Sequence, residues 1–172
     1  KFIKSSIVRV PIRLGQESFT IGEISSKNVS KIVQTIKAFK HIIKVNDVKS
    51  SLAFATSALR EANNSKEIIK EVKKKTKLKI EVIDGRKEAK IISLNNFFEF
   101  LNKNRIFIYV DVGGGSTEFS IIENGKRKNS KSFKIGTIRM INKITSEDVW
   151  NQIRIWIKTN IRQHSKIALI GS

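Results

Sequence analysis

Three consecutive glycines stand where one apolar strand ends and another begins, and this juncture restricts the folding of the chain more than any other. Ile106-Phe107-Ile108-Tyr109-Val110 reads as the first strand and Thr117 to Ile122 as the second, with Asp111-Val112-Gly113-Gly114-Gly115-Ser116-Thr117-Glu118 spanning the turn. One or two glycines suffice for a plain hairpin with a glycine bulge, and on the glycines alone that reading stands level with a second one. In the second, three residues without side chains leave backbone N–H groups able to wrap an anion, phosphate being the expected guest. The carboxylates at the two ends, Asp111 and Glu118, do not bind phosphate themselves but can hold a divalent cation or orient a water beside it. The segment reads as half of a site for phosphoryl chemistry.

Composition sets the outer limits. With 172 residues, 40% of them hydrophobic, the chain can bury a real core and is not a disordered tail. No apolar run approaches the roughly 20 residues that span a bilayer, and no segment has the layout of a signal peptide. The absence of cysteine rules out a disulfide framework, a thiol nucleophile and a thiolate zinc site. A cytoplasmic protein without membrane partners is expected. The 34 basic residues against 15 acidic ones give a net charge of +19, a field that attracts polyanions such as nucleotides, inorganic polyphosphate or nucleic acid. A genome-wide preference for Lys, Ile and Asn accounts for the same charge equally well. Nucleic acid is the least favoured of these partners, because no recognition motif and little aromatic interleaving accompany the lysines.

Periodicity supplies the elements. Phe2 to Leu14 alternates and is β-branched, which predicts a strand. Val29, Ile32, Val33, Ile36, Phe39 and Ile43 follow helical spacing behind serines able to cap. Leu52 to Thr56 and Leu78 to Ile83 predict strands, and Asn64 with Glu67 predicts a capping box opening a helix to about Lys75. A helix is expected from Arg86, with Ile91, Leu94, Phe98 and Leu101 on one face. After the glycine-rich hairpin, Asn124-Gly125 signals a two-residue turn and an antiparallel return through Lys131 to Lys134. Ser146 is placed to cap a helix carrying Val149, Trp150, Ile153, Ile157 and Ile161, and Lys166 to Ile170 ends the series as a strand. The alternation of strands and helices with one antiparallel meander gives an α/β class with a mixed sheet. Trp150 and Trp156 are read as packing residues, His41 and His164 as no metal site, and Lys73-Lys74-Lys75 with Lys77 and Lys79 as a solvated helix end.

Three motifs recur in a recognisable order: Ala55-Thr56-Ser57-Ala58-Leu59-Arg60, then Glu81-Val82-Ile83-Asp84-Gly85 with Glu88-Ala89, then Asp111 to Glu118. Together with Arg13-Leu14-Gly15, Gly136, Arg139-Met140 and Ile170-Gly171-Ser172 they resemble the exopolyphosphatase/guanosine pentaphosphate phosphatase (Ppx/GppA) family over nearly the whole chain. The resemblance implies a two-lobed, ribonuclease-H-like fold of the actin/Hsp70/sugar-kinase superfamily. It implies release of a terminal phosphate from inorganic polyphosphate or guanosine pentaphosphate (pppGpp), assisted by Mg2+ or Mn2+. By motif position Glu88 is similar to the family's catalytic carboxylate, and Asp111 and Glu118 to its metal- and water-organising acids. Gly113, Gly114, Gly115 and Ser116 correspond to the phosphate loop, and Arg60 to the arginine that contacts substrate phosphate, a task its planar fork suits.

Three departures qualify the expectation. The family's first phosphate hairpin and the glycine-rich loop after Ile170-Gly171-Ser172 are not found, so the chain is expected to be truncated at both ends. Residues 1–110 would then make most of one lobe, residues 111–172 the start of the other, and the fragment alone would be weak or inactive. Arg86-Lys87 replaces the usual acidic pair before Glu88; the reversed charges would favour its ionised form and weaken it as a base. A non-catalytic binder of polyphosphate or nucleotide is the alternative, and the oligomeric state is left open, a homodimer included.

Overall fold

The computed structural model describes residues 7–92, 105–161 and 166–171. The chain divides into two compact units, Lys1–Ile83 and Asp84–Ser172. The first unit holds α1 (Leu14–Thr20), α2 (Ser26–Val45), β1 (Ala53–Ala55), α3 (Ser57–Glu61), α4 (Ser65–Thr76) and β2 (Ile80–Val82). β1 and β2 are parallel, so their connection needs a crossover, and α3 with α4 supplies it. α2 forms where the apolar spacing placed it: Val29, Ile32 and Val33 are buried, and Ile36, Phe39 and Ile43 are half-buried. Ser25 Oγ accepts the N–H of Asn28 at 3.3 Å, satisfying one of the donors a helix start leaves open. Ile24, Ile32, Leu59, Ile68 and Val72 are among the residues that build this unit's core.

Two expectations fail here for identifiable reasons. The described part of the Phe2–Leu14 strand, residues 7–13, forms no strand. No neighbouring strand offers it a ladder among the described residues, and Ile7, Val8 and Val10 are exposed. The chain instead turns through left-handed Arg13 (φ 59°) into α1. Asn64 stands before α4 as expected, yet its side chain does not cap it. Its Nδ2 donates to Ile24 O (2.8 Å) while its Oδ1 accepts from Ile24 N (3.1 Å), tying the amide to the segment before α2.

The second unit holds α5 (Gly85–Ile92), β3 (Ile106–Val112), β4 (Thr117–Glu123), β5 (Lys126–Phe133), α6 (Thr137–Ile141), α7 (Asp148–Asn160) and β6 (Ile167–Gly171). The strand order is β5-β4-β3-β6; β3, β4 and β5 form the antiparallel meander, and β6 runs parallel to β3. Asn124 (φ 54°) and Gly125 (φ 70°) both take the left-handed conformation that a two-residue hairpin of this hand demands. A bulge then shifts the β4–β5 register between Ile121 and Ile122. Val149, Ile153 and Trp156 of α7 share a core with Ile121, Phe133 and Ile135. Phe119, Phe133 and Trp156 meet edge to face at 5.5–6.4 Å between ring centroids. Trp150, the other expected packing residue, faces outward and is 52% exposed. Ser146 does not cap α7 with its side chain; only its carbonyl serves, accepting from Val149 N at 3.2 Å.

α5 starts one residue before its expected position, with Asp84 Oδ1 accepting the N–H of Lys87 at 2.7 Å. Leu94, Phe98, Leu101 and His164 lie outside the described residues. The boundary expected between residues 110 and 111 falls inside β3, whereas the two compact units meet between Ile83 and Asp84, since α5 packs on β4 and β5. Among the described residues no helix is long and apolar enough to cross a membrane.

Candidate phosphate-binding site

The glycine turn is organised by its carbonyl oxygens. Thr137 N donates to Gly113 O (3.0 Å), Ile138 N to Gly114 O (2.9 Å) and Arg139 Nε to Gly115 O (2.7 Å). The first turn of α6 and one α6 side chain thus hold three successive carbonyls on one side. In a trans peptide the C=O and N–H point in opposite directions, so the N–H groups of Gly114, Gly115 and Ser116 are turned away from α6. None of the three has a hydrogen-bond acceptor among the described residues. Gly113 N closes the turn on Ser116 O at 2.9 Å. A row of N–H groups with their carbonyls secured behind them has the geometry of a concavity that can receive an anion.

The fit between loop and helix leaves no room for side chains. A Cβ on Gly136 would sit 2.6 Å from Gly114 C and O and 2.7 Å from Gly113 O, and one on Gly113 would sit 2.9 Å from Ser116 O. Gly136 and Arg139 are therefore working parts of the loop. Sequence reasoning placed them only in the family pattern, because α6 is too short to show a helical period.

The carboxylates follow from strand register. Asp111 on β3 is directly opposite Glu118 on β4, and Glu118 is opposite Ser132 on β5. Paired positions in adjacent strands share a face, so the three side chains form one row across the sheet. Glu118 is buried, 6% exposed, and its Oε1 accepts from Ser116 Oγ (2.8 Å) and Ser132 Oγ (2.7 Å). Thr117 points to the other face, where its hydroxyl donates to Ile135 O at 2.6 Å.

α5 lies against this row. A Cβ on Gly85 would come within 2.6 Å of Ser132 Cβ and 3.7 Å of Glu118 Oε1. Glu88 follows three residues later, on the same side of the helix, with Oε2 buried. The second unit thus carries Glu88, Asp111, Gly113, Gly114, Gly115, Ser116 and Glu118. Arg60 belongs to the first unit, where its Nη1 donates to Ile83 O at 2.7 Å.

The donor set bears on the cation. Among the described residues no cluster of three or more His, Asp or Glu could cage a metal. Two opposed carboxylates, Asp111 and Glu118, form an incomplete oxygen set. That composition fits Mg2+ or Mn2+, which keep waters and take phosphate oxygens as ligands, better than a cation needing an all-protein cage.

The model of the Ppx/GppA phosphatase family matches residues 6–165. A bifunctional 3-dehydroquinate synthase/phosphatase of Fusobacterium nucleatum is 29% identical over 88% of this chain and 24% of that protein. Exopolyphosphatase 1 of Mycobacterium leprae is 27% identical over 95% of this chain and 50% of that protein. The crystal structure of an exopolyphosphatase from Cytophaga hutchinsonii superimposes with a TM-score of 0.75 at 28% identity, covering 93% of this chain and 55% of that one. An Aquifex aeolicus family member shares the fold at a TM-score of 0.67 and 23% identity, covering 93% and 54%. The architecture is the α/β one with a mixed sheet that was expected, and it is shared with these family structures. The chain spans from about a quarter to about half the length of these relatives.

Proposed function

The chain belongs to the Ppx/GppA phosphatase family, and from that premise we propose that it serves the hydrolytic release of terminal phosphate from inorganic polyphosphate, with pppGpp as the second substrate to test. The observation that carries the reading is the glycine turn, whose three outward N–H groups lie beside the Asp111–Glu118 pair. Phosphoryl transfer asks chiefly for positioning and charge neutralisation, and these groups supply both. The N–H groups of Gly114, Gly115 and Ser116 hold phosphate oxygens, and Arg60 keeps its expected role as a phosphate contact on the family resemblance alone. Asp111 and Glu118 hold Mg2+ or Mn2+, which when bound neutralises phosphate charge. Glu88 orients the attacking water and takes its proton. The names of the Mycobacterium and Cytophaga relatives favour polyphosphate over pppGpp. Polyanionic, soluble substrates suit a cytoplasmic enzyme with a net charge of +19.

The test is phosphate release by the full-length protein from long-chain polyphosphate and from pppGpp, side by side, with Mg2+ or Mn2+. Glu88→Ala and Asp111→Ala should each lower the rate about 100-fold or more. Release unchanged by both substitutions would sink the assignment, and fast pppGpp turnover without polyphosphate hydrolysis would reverse the substrate order. Tight binding without turnover would favour the non-catalytic reading, to which the exposed Arg86 and Lys87 beside Glu88 lend weight.

A further inference from the structure

The β4–β5 hairpin opens on a two-residue turn that pairs Glu123 with Lys126 and Ile122 with Arg127. Continued without interruption, that register would set Lys131 opposite Glu118. The bulge leaves Lys128 as the extra residue, pairs Ile121 with Asn129, and so sets Ser132 opposite Glu118. A slip of one residue also exchanges the two faces of a strand. Lys131 is thereby sent to the other face, where its Nζ lies 5.1 Å from the Phe133 ring centroid. Ser132 donates to Glu118 Oε1 at 2.7 Å, and Gly85 holds α5 against it so closely that a Cβ there would meet Ser132 Cβ at 2.6 Å.

We propose that Ser132 is a positioning residue for Glu118, placed by the bulge so that a neutral hydroxyl, not the Lys131 ammonium, meets the buried carboxylate. This inference rests on the reading above for its kinetic consequence. An ammonium at that position would cancel the charge Glu118 offers a cation. Two hydroxyls, from Ser116 and Ser132, instead fix Oε1 by hydrogen bonds and bring no positive charge of their own. Oε2 accepts no hydrogen bond among the described residues and is the oxygen presented to a cation. Ser132 touches neither substrate nor cation; it acts through Glu118.

The experiment compares wild type, Ser132→Ala, Glu118→Gln and the double variant. Mn2+ affinity is measured by electron paramagnetic resonance, phosphate release is measured with polyphosphate, and folding is checked by circular dichroism. Ser132→Ala should lower kcat about 10- to 100-fold with KM changed less than about two-fold, and weaken Mn2+ binding about as much as kcat. In the Glu118→Gln background the same substitution should change Mn2+ affinity no further. Wild-type Mn2+ affinity in Ser132→Ala overturns the proposal, as does an undiminished further loss in the double variant. Should Ser132→Ala not fold, Ser132→Cys, similar in size but a weak donor, takes its place with the same expected loss. Full-length protein that releases no phosphate from either substrate refutes the functional reading, while the Mn2+ comparison still decides the role of Ser132.

Discussion

Gly136→Ala tests whether the glycine turn proposed to bind phosphate is shaped by its contact with α6. Gly136 has φ −166°, extended backbone that any residue adopts, so the substitution brings no conformational strain of its own. The whole effect lies in the methyl group, which would meet Gly114 C and O at 2.6 Å and Gly113 O at 2.7 Å. All three atoms are backbone and cannot rotate aside, so the loop must retreat from α6 by several tenths of an ångström. Overpacking of this kind costs about 1–3 kcal/mol. The same retreat stretches the hydrogen bonds from Thr137 N to Gly113 O and from Ile138 N to Gly114 O, each worth about 1 kcal/mol. A loss of about 2–4 kcal/mol is expected in urea unfolding, read from the midpoint at constant slope. Orthophosphate and polyphosphate affinity should fall with it, because the N–H groups of Gly114, Gly115 and Ser116 are aimed by those carbonyl anchors. Gly171→Ala is the control: a Cβ there meets nothing within 4 Å, and stability should change by no more than about 0.5 kcal/mol. Gly136→Ala with wild-type stability and wild-type phosphate binding would refute the claim that α6 shapes the loop.

Three further outcomes are expected. Glu17 accepts from Ser25 N (2.8 Å) and Ser25 Oγ (2.9 Å), and chiefly the backbone bond holds its carboxyl below its ordinary value of 4.5. A lowered folded-state pKa stabilises above the unfolded value and loses that contribution as pH falls through the folded one. Wild type should therefore exceed Glu17→Gln in Tm at pH 7, with the gap closing below about pH 4; a gap that widens on acidification would contradict this. Ile122, 0% exposed on β4, should cost about 2–5 kcal/mol on substitution by alanine, measured by denaturant unfolding. Asn64→Ala should destabilise by about 1–3 kcal/mol through the loss of both bonds to Ile24, and Asn64→Asp, which keeps the acceptor for Ile24 N and loses the donor to Ile24 O, should fall between.

What was legible in the sequence is what local chemistry determines. Asn124-Gly125 declares its turn because both residues must take positive φ, and α2 declares itself because 20 residues carry the apolar stripe through several turns. The glycine turn, with Asp111 and Glu118 at its ends, could be assigned for the same reason: register in a hairpin follows from counting. Where a role depends on a partner remote in sequence, counting stops working. Residues 7–13 alternate like a strand, but a strand exists only when another lies beside it. α6 is five residues long and holds its place through carbonyls some 24 positions away, so no pattern within Thr137–Ile141 announces it. Asn64 sits where a cap belongs and is taken by Ile24. Ser132 marks the boundary between the two cases. Counting from the Asn124-Gly125 turn leads to Lys131 opposite Glu118, a salt bridge that would have seemed well designed, and one extra residue at Lys128 turns that lysine to the opposite face. A bulge of this kind leaves composition and periodicity nearly untouched while changing which group meets the carboxylate, so the chemistry of the row depends on a feature that only the folded hairpin displays.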